Sequence, residues 1–170
     1  MQHLHKEFLV VDQEAIERHG GDETPRLRMN PQRDPRESAA EVCLQGGIHP
    51  DYDGNTYLGI LAAVRAAAPS VHIHAFSPLE VTHGARTLGL PLEDFLSQLK
   101  QAGLATLPGT AAEILDPEVR AILCPDKVSA DEWLDVMRAA HSVGLRTTAT
   151  IMFGHVEQYR HWARHLAQVR

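Results

Sequence analysis

Residues 71–78 read Val-His-Ile-His-Ala-Phe-Ser-Pro, VHIHAFSP. The period of a β-strand is two, so Val71, Ile73 and Ala75 point to one face, and His72 and His74 to the other. The apolar set suits packing against helices. The imidazoles then look onto the side of the sheet that opens to a ligand. A pair of hydrogen-bonded core histidines is the alternative. In either case buried imidazoles need partners, and a polar ligand or a polar interior would supply them.

Similar strand-like runs begin at Glu41 (EVCLQ), Leu104 (LATL) and Leu145 (LRTTATIMF), and helical patterns lie between them. Residues 55–68 carry Leu58, Leu61, Ala62 and Arg65 at helical spacing, and Pro69 stops them. Leu92, Phe95, Leu96 and Leu99 share one helix face, with Pro91 at the first turn and Gly103 as the close. Ser129 and Glu132 form a capping box before a Trp133/Met137/Ala140 stripe that Gly144 ends. Tyr159, Trp162, Ala163 and Leu166 stripe a last helix. Alternating strands and helices imply parallel strands with crossover helices. The fold class is therefore α/β, with about four parallel strands. A closed barrel usually takes about 250 residues. The 170 residues here make part of one.

Residues 4–18 are compatible with a short helix. Residues 19–37, rich in charge, Gly and Pro, read as loop or disorder. The expected division is an irregular or unrelated segment over 1–37 and a partial barrel over 38–170. Hydrophobic residues make up 44%, aromatics 5%, and the formal charge is −6. That balance argues against nucleic acid or an anionic membrane as the main partner. No run approaches the ~18 apolar residues of a membrane span. The N-terminus lacks a signal-peptide layout, so a cytoplasmic protein is expected. Cys43 and Cys124 lie far apart, with no CxxC pair, and read as reduced thiols.

In parallel α/β folds chemistry collects where strands end. Here those places hold QGGIHPD (45–51), FSP (76–78), PGTAAE (108–113) and GHVE (154–157). Gly46 and Gly47 let a backbone approach a ligand or take positive φ, or simply make a tight turn. Thr148, Thr150 and Met152 alternate on one face of the last strand. Thr110 and Glu113 fit a capping box, with a ligand contact for Glu113 as the alternative. Asp116 and Pro117 restart a helix. His161 and His165 have H-x-x-x-H spacing, but Trp162 stands where a zinc protease has Glu. A solvated basic face is the expected reading. Zinc, with His155 as a third ligand, is the weaker one.

EVCLQGGIHPD, HIHAFSPLEV, PGTAAEILDPEVR, ILCPDK and TTATIMFGHVE together resemble the CofH subunit of FO synthase, a radical S-adenosylmethionine (SAM) family, over residues 38–170. Menaquinone-pathway (futalosine) relatives favour PGGGAE where this chain has PGTAAE. The resemblance implies a partial radical SAM barrel. It implies transfer of a tyrosine-derived 4-hydroxybenzyl group to 5-amino-6-(D-ribitylamino)uracil, on the way to the F420 deazaflavin. SAM and a [4Fe-4S] cluster would be the cofactors, and a CofG-type subunit a partner. It carries SAM contact to Gly46 and Gly47. His72, His74, Ser77, Glu113, Thr148 and His155 are the further cofactor-binding candidates. No catalytic residue and no metal ligand is assigned.

The family's CxxxCxxC cluster loop is absent from these 170 residues. Cluster ligation needs thiolates. The chain thus reads as an internal slice of the enzyme, or as a half-barrel that binds without catalysing. No radical chemistry is expected from it alone. An open slice leaves a sheet edge and helix faces unpaired, so poor solubility or self-association is expected.

Overall fold

A computed structural model describes residues 8–11, 16–19, 22–27 and 40–170. Five strands form one parallel sheet in the order β1 (Phe8–Val11), β4 (Glu41–Leu44), β5 (His72–Ala75), β6 (Thr106–Leu107) and β7 (Arg146–Thr147). β2 (Ile16–His19) and β3 (Asp22–Leu27) make a separate antiparallel pair. The helices are α1 (Gly54–Ala67), α2 (Pro78–Leu88), α3 (Leu92–Gln101), α4 (Pro117–Leu123), α5 (Ala130–Ser142) and α6 (Tyr159–Val169). No helix among the described residues is long and apolar enough to cross a membrane.

The alternation read from the histidine strand is present. In β4 and β5 every second residue is buried. Val42, Leu44, Ile73, Ala75 and Leu107 join one core with Leu61, Val64, Phe95, Leu99, Trp133 and Ala140 of the helices. A doubly wound sheet would be apolar on both faces. Here, among the described residues, helices cover one face, as in a barrel wall.

Local signals explain most helix ends. Asp53 caps α1 by accepting from the Thr56 amide at 3.0 Å, and Asp116 caps α4 ahead of Pro117. Ser129 and Glu132 form the expected box at α5. Pro91 is the N-cap of α3 rather than part of its first turn. The sequence reading passed over α2, although Ser77, Pro78 and Glu80 open it and Gly89 closes it in the left-handed conformation.

The N-terminal segment, residues 1–37, needs correction. The expected helix over 4–18 is replaced, where described, by β1 and β2. β1 pairs in parallel with β4, Phe8 opposite Glu41, so the sheet has a fifth strand. The loop expected over 19–37 contains β3. Phe8-Leu9-Val10-Val11 is a short apolar run of the kind strands favour, and Gly20-Gly21 is a hairpin turn signal. The charged, Pro-rich surroundings hid both. Residues 28–37 lie outside the described residues.

The last strand is also shorter than expected. Only Arg146–Thr147 pairs as β7. The Thr148 amide still donates to the Leu107 carbonyl at 3.0 Å, but beyond it the ladder ends, and the hydroxyls of Thr148 and Thr150 grip Gly109. The Gly109 amide donates to Thr148 Oγ1 at 3.0 Å, and Thr150 Oγ1 donates to the Gly109 carbonyl at 2.6 Å. A Cβ on Gly109 would lie 2.0 Å from the Thr148 carbonyl oxygen, so only glycine permits this approach.

Candidate functional site

The uncovered face of the sheet carries Glu41 and Cys43 from β4, His72 and His74 from β5, and Thr106 from β6. Register brings them together: Glu41 lies opposite His72, Cys43 opposite His74, and His74 opposite Thr106. All are half-buried. His72 Nε2 and His74 Nδ1 each lie 2.8 Å from Thr106 Oγ1. The hydroxyl can donate to one imidazole and has lone pairs with which to accept from either. A Glu41 carboxylate oxygen 3.6 Å from His72 Nε2 favours the proton there. Thr106 thus ties the two rings together, and the His74 ring also hydrogen-bonds the Thr106 backbone. Partial burial holds the His74 pKa below the ordinary histidine value, with the nearby Glu41 opposing. Burial raises the Cys43 thiol, against a hydrogen bond from Gln45.

The strand-end loops rim this face. Gly47 has φ +67°, and a Cβ built on it would meet nothing within 4 Å. The backbone there is bare and open, as a close ligand contact requires. The neighbouring Gly46 amide donates to Glu80 Oε1 at 3.0 Å. Phe76, at φ 65°, turns the chain from β5 into α2. A non-glycine residue in that region marks local strain, which gathers at functional sites.

Other candidates are placed differently. Ser77 is buried, and its hydroxyl donates to Glu80 Oε2 at 2.7 Å. No helix begins at Thr110, so the Thr110–Glu113 capping box is not formed. The segment is an irregular turn with Ala111 at φ 60° and Glu113 at φ 43°. Glu113 instead pairs with Lys127 at 2.5 Å. The turn is fixed from outside. Arg120 Nη1 donates to the carbonyls of Ala111 and Ala112, and Trp133 Nε1 to that of Thr110. A local helix-start pattern could not reveal those partners. Thr148 is spent on Gly109. His155 is exposed, its amide donating to Glu157.

The solvated basic face on α6 is overturned. His161 and His165 are 4% and 1% exposed, while Tyr159 and Leu166 of the expected apolar stripe are 82% and 58% exposed. His165 Nδ1 accepts from the Leu115 amide at 3.1 Å, and its ring also bonds the Thr150 backbone. Both ring nitrogens are engaged, so the pair does not form a zinc site. Burial holds the His165 pKa below the ordinary value. Asp116, Glu118 and His161 do approach one another. Arg164 already bonds Asp116 at 3.0 Å, and Arg160 Nε donates to His161 Nε2.

Glu80 is the residue that sequence reading missed. It was visible only as the third residue after Ser77, the ordinary capping-box position. Its link to Gly46 spans the gap between two strand ends.

The chain is 51% identical over 130 residues to the 5-amino-6-(D-ribitylamino)uracil–L-tyrosine 4-hydroxyphenyl transferase of Archaeoglobus fulgidus, covering 76% of this chain and 38% of that protein. It is 49% identical over 132 residues to the protein of the same name from Methanopyrus kandleri, covering 78% of this chain and 36% of that one. It is 52% identical over 128 residues to the FO synthase of Streptomyces coelicolor, covering 75% of this chain and 15% of that protein. The chain thus spans well under half the length of these curated relatives. The family model for the radical SAM superfamily matches residues 24–169. With nearly its whole length under that match, the chain belongs to the radical SAM superfamily.

Proposed function

We propose that residues 38–170 form the SAM- and substrate-facing part of an aryl transferase of the FO synthase type. The reaction is the joining of a tyrosine-derived 4-hydroxybenzyl group to 5-amino-6-(D-ribitylamino)uracil. The observation that carries this reading is the polar strip of His72, Thr106 and His74 beside the bare backbone at Gly47. It lies in a chain about half identical to proteins named for that transfer. A futalosine-type enzyme is the weaker reading, because the relatives named above carry the transferase and FO synthase names.

The residues have separable tasks. The Gly47 backbone receives the methionine end of SAM, where a side chain would intrude. His74, half-buried on the open face, meets a polar group of the bound ligand. His72 and Thr106 hold its ring in place. Ser77, Glu113 and Thr148 serve the site by fixing loops through the bonds described above, and His155 is an exposed candidate contact. A CofG-type partner subunit and a cytoplasmic location belong to the same proposal.

The cysteines do not fit the [4Fe-4S] cluster of the superfamily. Cluster iron is held by several thiolates. Cys43 lies half-buried on the open face with its thiol raised, and Cys124 is buried at the end of α4. We therefore assign this chain ligand binding and derive no radical step from its residues. Equilibrium dialysis of the 170-residue chain against SAM is the test. Near-stoichiometric binding without release of 5′-deoxyadenosine is expected. No binding at about 1 mM SAM, the upper end of ordinary substrate affinities, would overturn the reading.

A further inference from the structure

We propose that Glu80 is a positioning residue for the SAM-facing loop, holding the Gly46 amide so that the backbone at Gly47 stays open to the ligand. This rests on the SAM-binding reading above.

Two capping boxes in the molecule isolate what is unusual about Glu80. At α5, Glu132 accepts from the Ser129 amide and extends to Arg86 at 2.7 Å. Its side chain is 43% exposed, and among the described residues its only other partner is the exposed Arg86. At α2, Glu80 Oε2 does the same work, accepting from the Ser77 amide and hydroxyl, both at 2.7 Å. Yet Glu80 is only 2% exposed. Among the described residues no cation pairs with it. Burying a carboxylate is costly unless its oxygens are well bonded. Capping does not require that burial, as Glu132 demonstrates.

The second oxygen accounts for the burial. Oε1 turns away from α2 and accepts from the Gly46 amide, 34 residues earlier in the chain. One carboxylate thereby joins the end of β4, the turn after β5 and the first turn of α2. Nearby, the Phe76 ring packs edge-on against Tyr57 at 5.1 Å. The Tyr57 hydroxyl is buried and has no partner among the described residues. With Gly46 tethered, Gly47 is held at its positive φ with nothing over it. A ligand then meets a loop already shaped, and less affinity is lost to ordering it.

Glu80→Gln is the discriminating change. An amide has one acceptor oxygen, so it can serve the Ser77 cap or the Gly46 amide but not both. Ser129→Ala is the control, since it removes a comparable cap from α5, away from the loop. The 170-residue chain and both variants are titrated with S-adenosylhomocysteine, and their melting temperatures are recorded. Both variants are expected to melt lower than the parent. Only Glu80→Gln is expected to lose affinity, by about tenfold, the worth of one charge-assisted hydrogen bond. Unchanged affinity in a folded Glu80→Gln chain overturns the proposal.

A second measurement decides the case in which that variant does not fold. The Gly46 amide of the parent chain should exchange with solvent at least about tenfold slower than an unprotected amide. Fast exchange at Gly46 overturns the tether outright. If the parent chain binds no S-adenosylhomocysteine, the functional reading falls. Gly46 protection, with its loss in Glu80→Gln, then still decides whether the tether exists.

Discussion

One sheet here has two unlike faces. On the helix side, Ile73, Ala75 and Leu107 are fully buried in a continuous apolar core. On the other side, residues one position away in the same strands form a half-exposed polar strip of Glu41, Cys43, His72, His74 and Thr106. Strand period two makes this separation automatic. The covered face holds the fold together. The uncovered face can be spent on recognition, because its polar groups keep access to partners outside the core.

The strongest attack on that contrast is Ile73→Ala. It should cost about 3 kcal/mol, as large-to-small changes in packed cores do, read as a lower urea midpoint. His74→Leu, on the next residue, should cost under about 1 kcal/mol while abolishing measurable SAM binding. Equal stability losses from the two would erase the distinction between the faces.

Acid should act on both sides of the molecule. His74 and His165 both have folded pKa values below the ordinary histidine value. Their unfolded forms therefore take up protons first as pH falls. The stability they confer is complete above about pH 6.5 and is lost as pH drops through the lower folded values. A falling urea midpoint from about pH 7.5 to pH 5 is expected. His165→Gln, which can still accept from the Leu115 amide, should flatten that slope more than His74→Gln does. The enclosed ring has less water to relieve its charge. The reverse order would show that the open face is drier than its exposure implies.

The smallest effect concerns the thiols. Cys43 on the open face should react with iodoacetamide in the folded protein, slowly because its thiol is raised. Cys124, buried at the end of α4, should react only after denaturation. Mass spectrometry of labelled peptides reads both.

Much of this was legible before any coordinates. The faces of Val71–Ala75, the strand-helix alternation, the Asp116–Pro117 start of α4 and the Ser129–Glu132 box all follow from patterns within a few residues. Such patterns report backbone geometry that the local chain imposes on itself. The misses share a different cause. Thr110 and Glu113 match a helix start, but Arg120 and Trp133 take the nearby carbonyls into a turn. Thr148 and Thr150 match a strand, but the ladder stops at Thr148, and both hydroxyls turn to Gly109.

The sequence by itself determined which residues of β5 alternate, where α4 and α5 start, and that one side of that strand would be polar. Only the tertiary structure decided which side of α6 turns inward and why Glu80 is buried. The Leu115 amide, 50 residues before His165, needed an acceptor, and the Gly46 amide needed one from α2. A buried backbone donor must be satisfied by whatever the fold brings beside it, and no local period records that demand.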